Sequence, residues 1–118
     1  MKIVIDAFGG DNAPLEIVKG ASEASLQFET EIALTGNKET IDKIIAENNL
    51  KFFGELIIVD TDDVIDMHDE PTTILKVHSN SSMALAFKEL CENRADAFVS
   101  AGSTGAIVVG GTLIVKRI

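Results

Sequence analysis

Four short apolar runs recur along the chain, each cut off by polar or glycine-rich residues: Ile3-Val4-Ile5, Ile32-Ala33-Leu34, Leu56-Ile57-Ile58-Val59 and Ala97-Phe98-Val99. Runs this short read as strands, and the unbroken apolarity of the third is what a strand covered on both faces requires. Between them lie stretches with helical periodicity. Hairpins need only a few connecting residues, whereas parallel neighbours need a crossover of a dozen or more. The alternation therefore predicts an open, mainly parallel α/β sheet with helices on both faces. The 118 residues amount to one domain, spanning 1–118.

The first crossover opens with strong turn chemistry, Ala7-Phe8-Gly9-Gly10-Asp11-Asn12-Ala13-Pro14. Pro14 suits a first helical turn, Asp11 or Asn12 stands close enough to cap it, and Glu16 favours the dipole. Ile17, Val18, Ala21, Ala24, Ser25 and Phe28 then share one face. Gly36-Asn37 precedes a second helix with Ile41, Ile44 and Ile45 together, and Ser81 or Ser82 caps a third in which Met83, Phe87, Leu90 and Cys91 recur as core positions. A fourth runs from Thr104 through Ile107, Val108, Leu113 and Ile114. Gly110-Gly111 weakens it by about 1 kcal/mol per glycine relative to alanine, which points to close packing against a neighbour.

Charge and composition narrow the partners. A formal net charge of −9 repels nucleic-acid backbones and anionic lipid alike, and the absence of Trp and Tyr removes the platforms on which single strands stack, so no nucleic acid is expected. The single cysteine, Cys91, cannot close an internal disulfide, which fits a reducing cytoplasm. Residues 98–115 carry no charge, but Gly, Ser and Thr cluster at their start, as in a strand followed by a buried helix and not a membrane span. Six of the 19 acids lie between Asp60 and Glu70, together with His68. Ile65 occupies the sixth position from Asp60, where a calcium loop needs glycine, and no spaced His or Cys set accompanies His68, so the stretch reads as a solvated acidic loop without metal. His78 is similarly isolated and reads as a surface or interface residue.

The most chemically suggestive stretch is Val99-Ser100-Ala101-Gly102-Ser103-Thr104-Gly105-Ala106. Two glycines flanking two hydroxyls let the backbone approach a ligand, and a helix beginning near Thr104 adds the positive end of its dipole. Such a corner suits a phosphate-like anion; a tight strand-to-helix turn with no ligand uses the same residues. Neither GxGxxG nor the lysine of a P-loop is present.

Four motifs occurring in order carry a resemblance to a known family: residues 6–14, Met67-His68-Asp69-Glu70-Pro71, Ser81-Ser82-Met83 and residues 99–106. The chain resembles the opening portion of the bacterial phosphate acyltransferase family of phospholipid synthesis. Ser103 stands where that family commonly has Asn, Phe8 where Met is usual, and Lys76-Val77-His78-Ser79-Asn80 is less basic than the family's run there. The resemblance implies a cytoplasmic, usually dimeric enzyme that converts acyl carrier protein thioester and inorganic phosphate into acyl phosphate and free carrier. It also implies an isocitrate/isopropylmalate dehydrogenase-like fold and no metal or organic cofactor. Peripheral membrane association follows from the resemblance alone.

On that reading, phosphate meets the amides of Gly102 to Gly105 with hydroxyl help from Ser103 and Thr104, while Gly9, Gly10 and Asn12 come in from the first loop. The two corners can share the crevice beyond the carboxyl ends of a parallel sheet. Asp6 and Asp11 repel phosphate, so their expected roles are supportive: bonding loop amides, capping, or orienting a basic residue from elsewhere. Simple helix capping is the competing role for Asn12, Ser103 and Thr104. The stretch holds no evident general acid and no Arg or Lys cluster, so catalytic groups are expected in C-terminal sequence or across a dimer, and the 118 residues alone are expected to be inactive. A noncatalytic phosphate- or nucleotide-binding module and an inactive truncated remnant are the alternatives.

Overall fold

The computed structural model describes residues 1–66 and 68–115. Met67 of the second motif and the Lys116-Arg117-Ile118 end lie outside the described residues. Strands β1 (Lys2–Asp6), β2 (Glu31–Gly36), β3 (Ile57–Asp60) and β4 (Ala97–Val99) form one sheet in the order β3-β2-β1-β4. Every pairing is parallel, with Val4 opposite both Ala33 and Phe98. Helices α1 (Leu15–Phe28), α2 (Lys38–Glu47), α3 (Ser82–Cys91) and α4 (Thr104–Gly110) complete an α/β architecture.

Strand periodicity assigns the two faces. Ile3, Ile5, Ile32, Leu34 and Ile58 point one way and pack with Val18, Ala21 and Ile41 of α1 and α2. Val4, Ala33, Ile57 and Phe98 point the other way, toward Ala86 of α3. Small residues on that second face bring α3 close enough for the Thr35 hydroxyl to donate to the Ser82 carbonyl at 2.6 Å. Beyond it, Ile74, Met83, Phe87 and Ala106 tie α3 and α4 to a 3-10 turn at Pro71–Leu75, and Phe87 stacks on Phe98 with ring centroids 4.2 Å apart.

Several local expectations are corrected. β3 is a sheet edge bonded only to β2, so its residues stay partly exposed, although Ile58 and Ile57 pack against the helix layers on opposite faces. Pro14 is itself the N-cap of α1 and makes no side-chain cap bond; the Asn12 carbonyl, not a side chain, takes the Glu16 amide at 3.1 Å. Phe28, the last residue of α1, is 68% exposed because the chain turns away through left-handed Glu29. Cys91, closing α3, is also exposed and donates to the Ile114 carbonyl, so it is no core position.

The fourth helix changes character. Gly110 packs as expected, since a Cβ there would stand 2.3 Å from the Phe87 ring, but Gly111 has nothing within 4 Å. From Gly111 to Val115 the backbone is π-helical. Wider i→i+5 winding breaks the period on which the apolar face was counted, and Leu113 ends up exposed, as does Val108 on the outer side of α4. Residues 98–115 thus divide into strand, corner and helix, and no helix among the described residues is long and apolar enough to cross a membrane.

Candidate functional site

The chain runs from β1 outward to β3, then returns across α3 to place β4 on the other side of β1. That reversal opens a crevice between the carboxyl ends of β1 and β4, the position where open parallel sheets bind ligands. Residues 7–14 and residues 100–103 meet there.

Asp6 lies beneath the crevice and is almost wholly buried. One carboxylate oxygen accepts from the Ser82 hydroxyl at 2.5 Å and from the Phe8 amide at 3.1 Å; the other accepts from the Ser100 hydroxyl at 3.0 Å. Ser100 in turn accepts from the Gly102 amide at 3.0 Å. Burial pushes the Asp6 carboxyl above the ordinary aspartate value, against the opposing pull of Ser82, Ser100 and the Phe8 and Gly9 amides. One carboxylate therefore joins β1, the start of α3 and the β4 corner.

The glycines make this closeness possible. A Cβ on Gly9 would lie 2.7 Å from Asp6 Oδ2, 2.8 Å from Ser100 Oγ and 2.9 Å from the Gly102 nitrogen. One on Gly102 would lie 2.9 Å from Met83 Cε and 3.3 Å from the Gly9 Cα. Gly10 adopts φ +105°, over Ala101, a conformation side-chain-bearing residues rarely adopt. Gly105 faces a different neighbour, because a Cβ there would stand 2.7 Å from Pro71 Cγ.

Above the glycines is a cleft of about 330 Å³ lined by Phe8, Gly10, Asp11, Gly102 and, from the acidic loop, Ile65, Asp66 and His68. That loop is more ordered than its composition suggests. Ile65 is buried, the Ser82 amide donates to the Asp63 carbonyl, and Thr61 donates to the Asn80 carbonyl. His78 is not isolated: its Nδ1 lies 2.8 Å from Asp63 and its Nε2 3.3 Å from Asp69, so the half-buried ring braces the loop from behind. Among the described residues, no group of His, Cys, Asp and Glu is placed to hold a metal ion.

The residues singled out from sequence divide into four groups. Gly9, Gly10 and Gly102 converge on the crevice with Asp6 below them, although the Gly102 amide is already given to Ser100. Ser103 is the N-cap of α4, its buried hydroxyl accepting from the Ala106 amide at 3.3 Å. Thr104 and Gly105 occupy the first positions of α4, where helical geometry leaves the amides without partners inside the helix. Asn12 and Asp11 are exposed; Asp11 lines the cleft but neither side chain makes a hydrogen bond among the described residues, so neither is a cap. Sequence reasoning passed over Ser82, Ser100, Met83 and Pro71 as site components. Their signal was membership of the same four motifs, and these motifs, spread from residue 6 to residue 106, meet in space.

The whole chain, residues 1–118, matches the family described as fatty acid synthesis protein. The chain belongs to that family. It is 45% identical to a phosphate acyltransferase of Pediococcus pentosaceus, and the match covers 100% of this chain and 33% of the relative. Phosphate acyltransferases of Clostridioides difficile and Bacillus licheniformis are 40% and 42% identical, again over 100% of the chain and 34% of each relative. This fatty acid synthesis family chain thus corresponds to the N-terminal third of its curated relatives.

Proposed function

We propose that the full-length protein is an acyltransferase of phospholipid synthesis that transfers an acyl group from acyl carrier protein to inorganic phosphate. A phosphate oxygen attacks the thioester carbonyl, the carbon–sulfur bond breaks, and the products are acyl phosphate and free carrier thiol. The observation that carries this reading is the meeting of Gly9, Gly10 and Gly102 over the Asp6 clamp, in a family whose relatives bear the name phosphate acyltransferase.

In this reading, phosphate lies over the paired glycine corners, and the Thr104 and Gly105 amides, the Ser103 and Thr104 hydroxyls and Asn12 are its proposed donors. Held amides need no reorganisation when the tetrahedral oxyanion forms. Asp6 acts from below as a positioning residue. Asp11 and Asp66 line the cleft and disfavour an anion there, so the countercharge and the proton for the departing thiol come from the remaining two thirds of the polypeptide or from a second subunit. This reading carries with it a cytoplasmic homodimer with a dehydrogenase-like architecture.

The test is to incubate the full-length protein with acyl carrier protein thioester, with and without phosphate, and to trap acyl phosphate with hydroxylamine. Phosphate-dependent hydroxamate is expected. Equal thioester loss in both reactions with no hydroxamate rejects the proposal, and phosphate binding without turnover favours a noncatalytic phosphate-binding module. The 118 residues alone are expected to show negligible turnover.

A further inference from the structure

The sheet face that packs on α1 is not fully covered. α1 and α2 lie over β1, β2 and β3 on that side, whereas α3 and α4 pack on the opposite side. What remains is a trough of about 320 Å³, floored by Ile3, Ile5 and Val99 and walled by Ile17, Gly20 and Ala24, with Glu16 its single charged lining residue. Val99, at the end of β4, is 50% exposed, an unusual state for a residue on a sheet face that helices normally cover in parallel α/β folds.

Gly20, in the wall of the trough, defines its shape further. It sits mid-helix, where glycine costs roughly 1 kcal/mol against alanine, yet nothing lies within 4 Å of where its Cβ would be. Every other glycine of the described residues except Gly111 has a close neighbour that accounts for it. Ile17, Gly20 and Ala24 form one i, i+3, i+7 strip, large at one end and small along the rest, the shape that admits the ridge of a second helix.

We propose that this trough seats an amphipathic helix from the part of the full-length polypeptide that follows residue 118, crossing α1 at Gly20 and covering Val99. The relatives are about three times as long as this chain, so the same molecule supplies ample sequence for it. A second copy is a poorer occupant, because an isologous contact sets trough against trough and leaves both unfilled.

Two measurements on the full-length protein decide the matter. Photo-leucine placed at Val99 should crosslink within one polypeptide, to a peptide C-terminal to residue 118. Gly20→Leu should lower the full-length Tm by about 4 °C or more through overpacking. An open trough gives the opposite sign, since replacing an exposed helical glycine raises Tm. A crosslink to a second copy, solvent quenching of the photoprobe with no peptide adduct, or an unchanged or raised Tm for Gly20→Leu overturns the proposal.

Discussion

The corner after β1 and the corner after β4 meet over Asp6, yet they are built in opposite ways. The first is long, running through residues 7–14; its helix starts on a proline without a side-chain cap, and Asp11 and Asn12 project into solvent. The second is short, and almost every polar group in it is engaged: Ser100 on Asp6, Gly102 on Ser100, Ser103 on Ala106. The compact corner therefore holds shape, while the long one presents free side chains. A shared buried carboxylate lets the rigid corner set the position of the loose one.

Removing that carboxylate should have the largest effect. Asp6→Ala strands the Ser82 and Ser100 hydroxyls and the Phe8 amide, and a loss of about 4 kcal/mol is expected by urea denaturation, from roughly 1–3 kcal/mol per buried unsatisfied group. A loss confined to one corner, visible as local amide exchange with unchanged global stability, would show that the two are not joined through Asp6. The pH dependence sharpens the point. Because the folded Asp6 pKa is raised above 3.8, the native state holds this proton more tightly than the unfolded chain. Its contribution is full below the unfolded value and is lost as pH rises through the folded one. Relative to Asp6→Asn, the native protein should thus lose stability as pH rises above 3.8 and level off once both states are ionised; a gain over that interval contradicts a raised pKa.

Gly9→Ala comes next. Its methyl must displace the Gly102 backbone as well as two side-chain oxygens, so about 2 kcal/mol of destabilisation is expected, with loss of hydroxamate formation in the full-length protein. Ser103→Ala removes the α4 cap and should cost about 1 kcal/mol of stability, read from the same denaturation curves. Asn12→Ala is the mildest and the most discriminating. An exposed, unbonded side chain should leave stability within about 0.5 kcal/mol, whereas loss of a contact to phosphate should raise the KM for phosphate about tenfold. If neither changes, the long corner presents nothing to the ligand at Asn12.

Much of the architecture was readable in advance because strand and helix signals are local. Gly36-Asn37, Ser81 and Thr104 mark helix starts within a residue of their observed places, with Asn37, Ser81 and Ser103 capping. The failures share a cause. The apolar run Leu56 to Val59 does not reveal the partial exposure of β3 because apolarity does not say how many neighbours a strand has, and His78 reads as solitary because Asp63 and Asp69 reach it only after the loop folds back. Gly20, Gly110 and Gly111 are alike in sequence; only Gly110 meets a ring.

Residue order alone determined the parallel α/β class, the four strands and the glycine corner after β4, since each depends on periodicity, capping and turn chemistry within a few neighbours. Only the tertiary structure decided that Asp6 would lie under both corners, bonded to Ser82 and Ser100 from 76 and 94 residues away. Those bonds exist because the chain reverses direction at β1 and because Gly9 and Gly102, lacking side chains, let two backbones come close enough for one buried carboxylate to hold them.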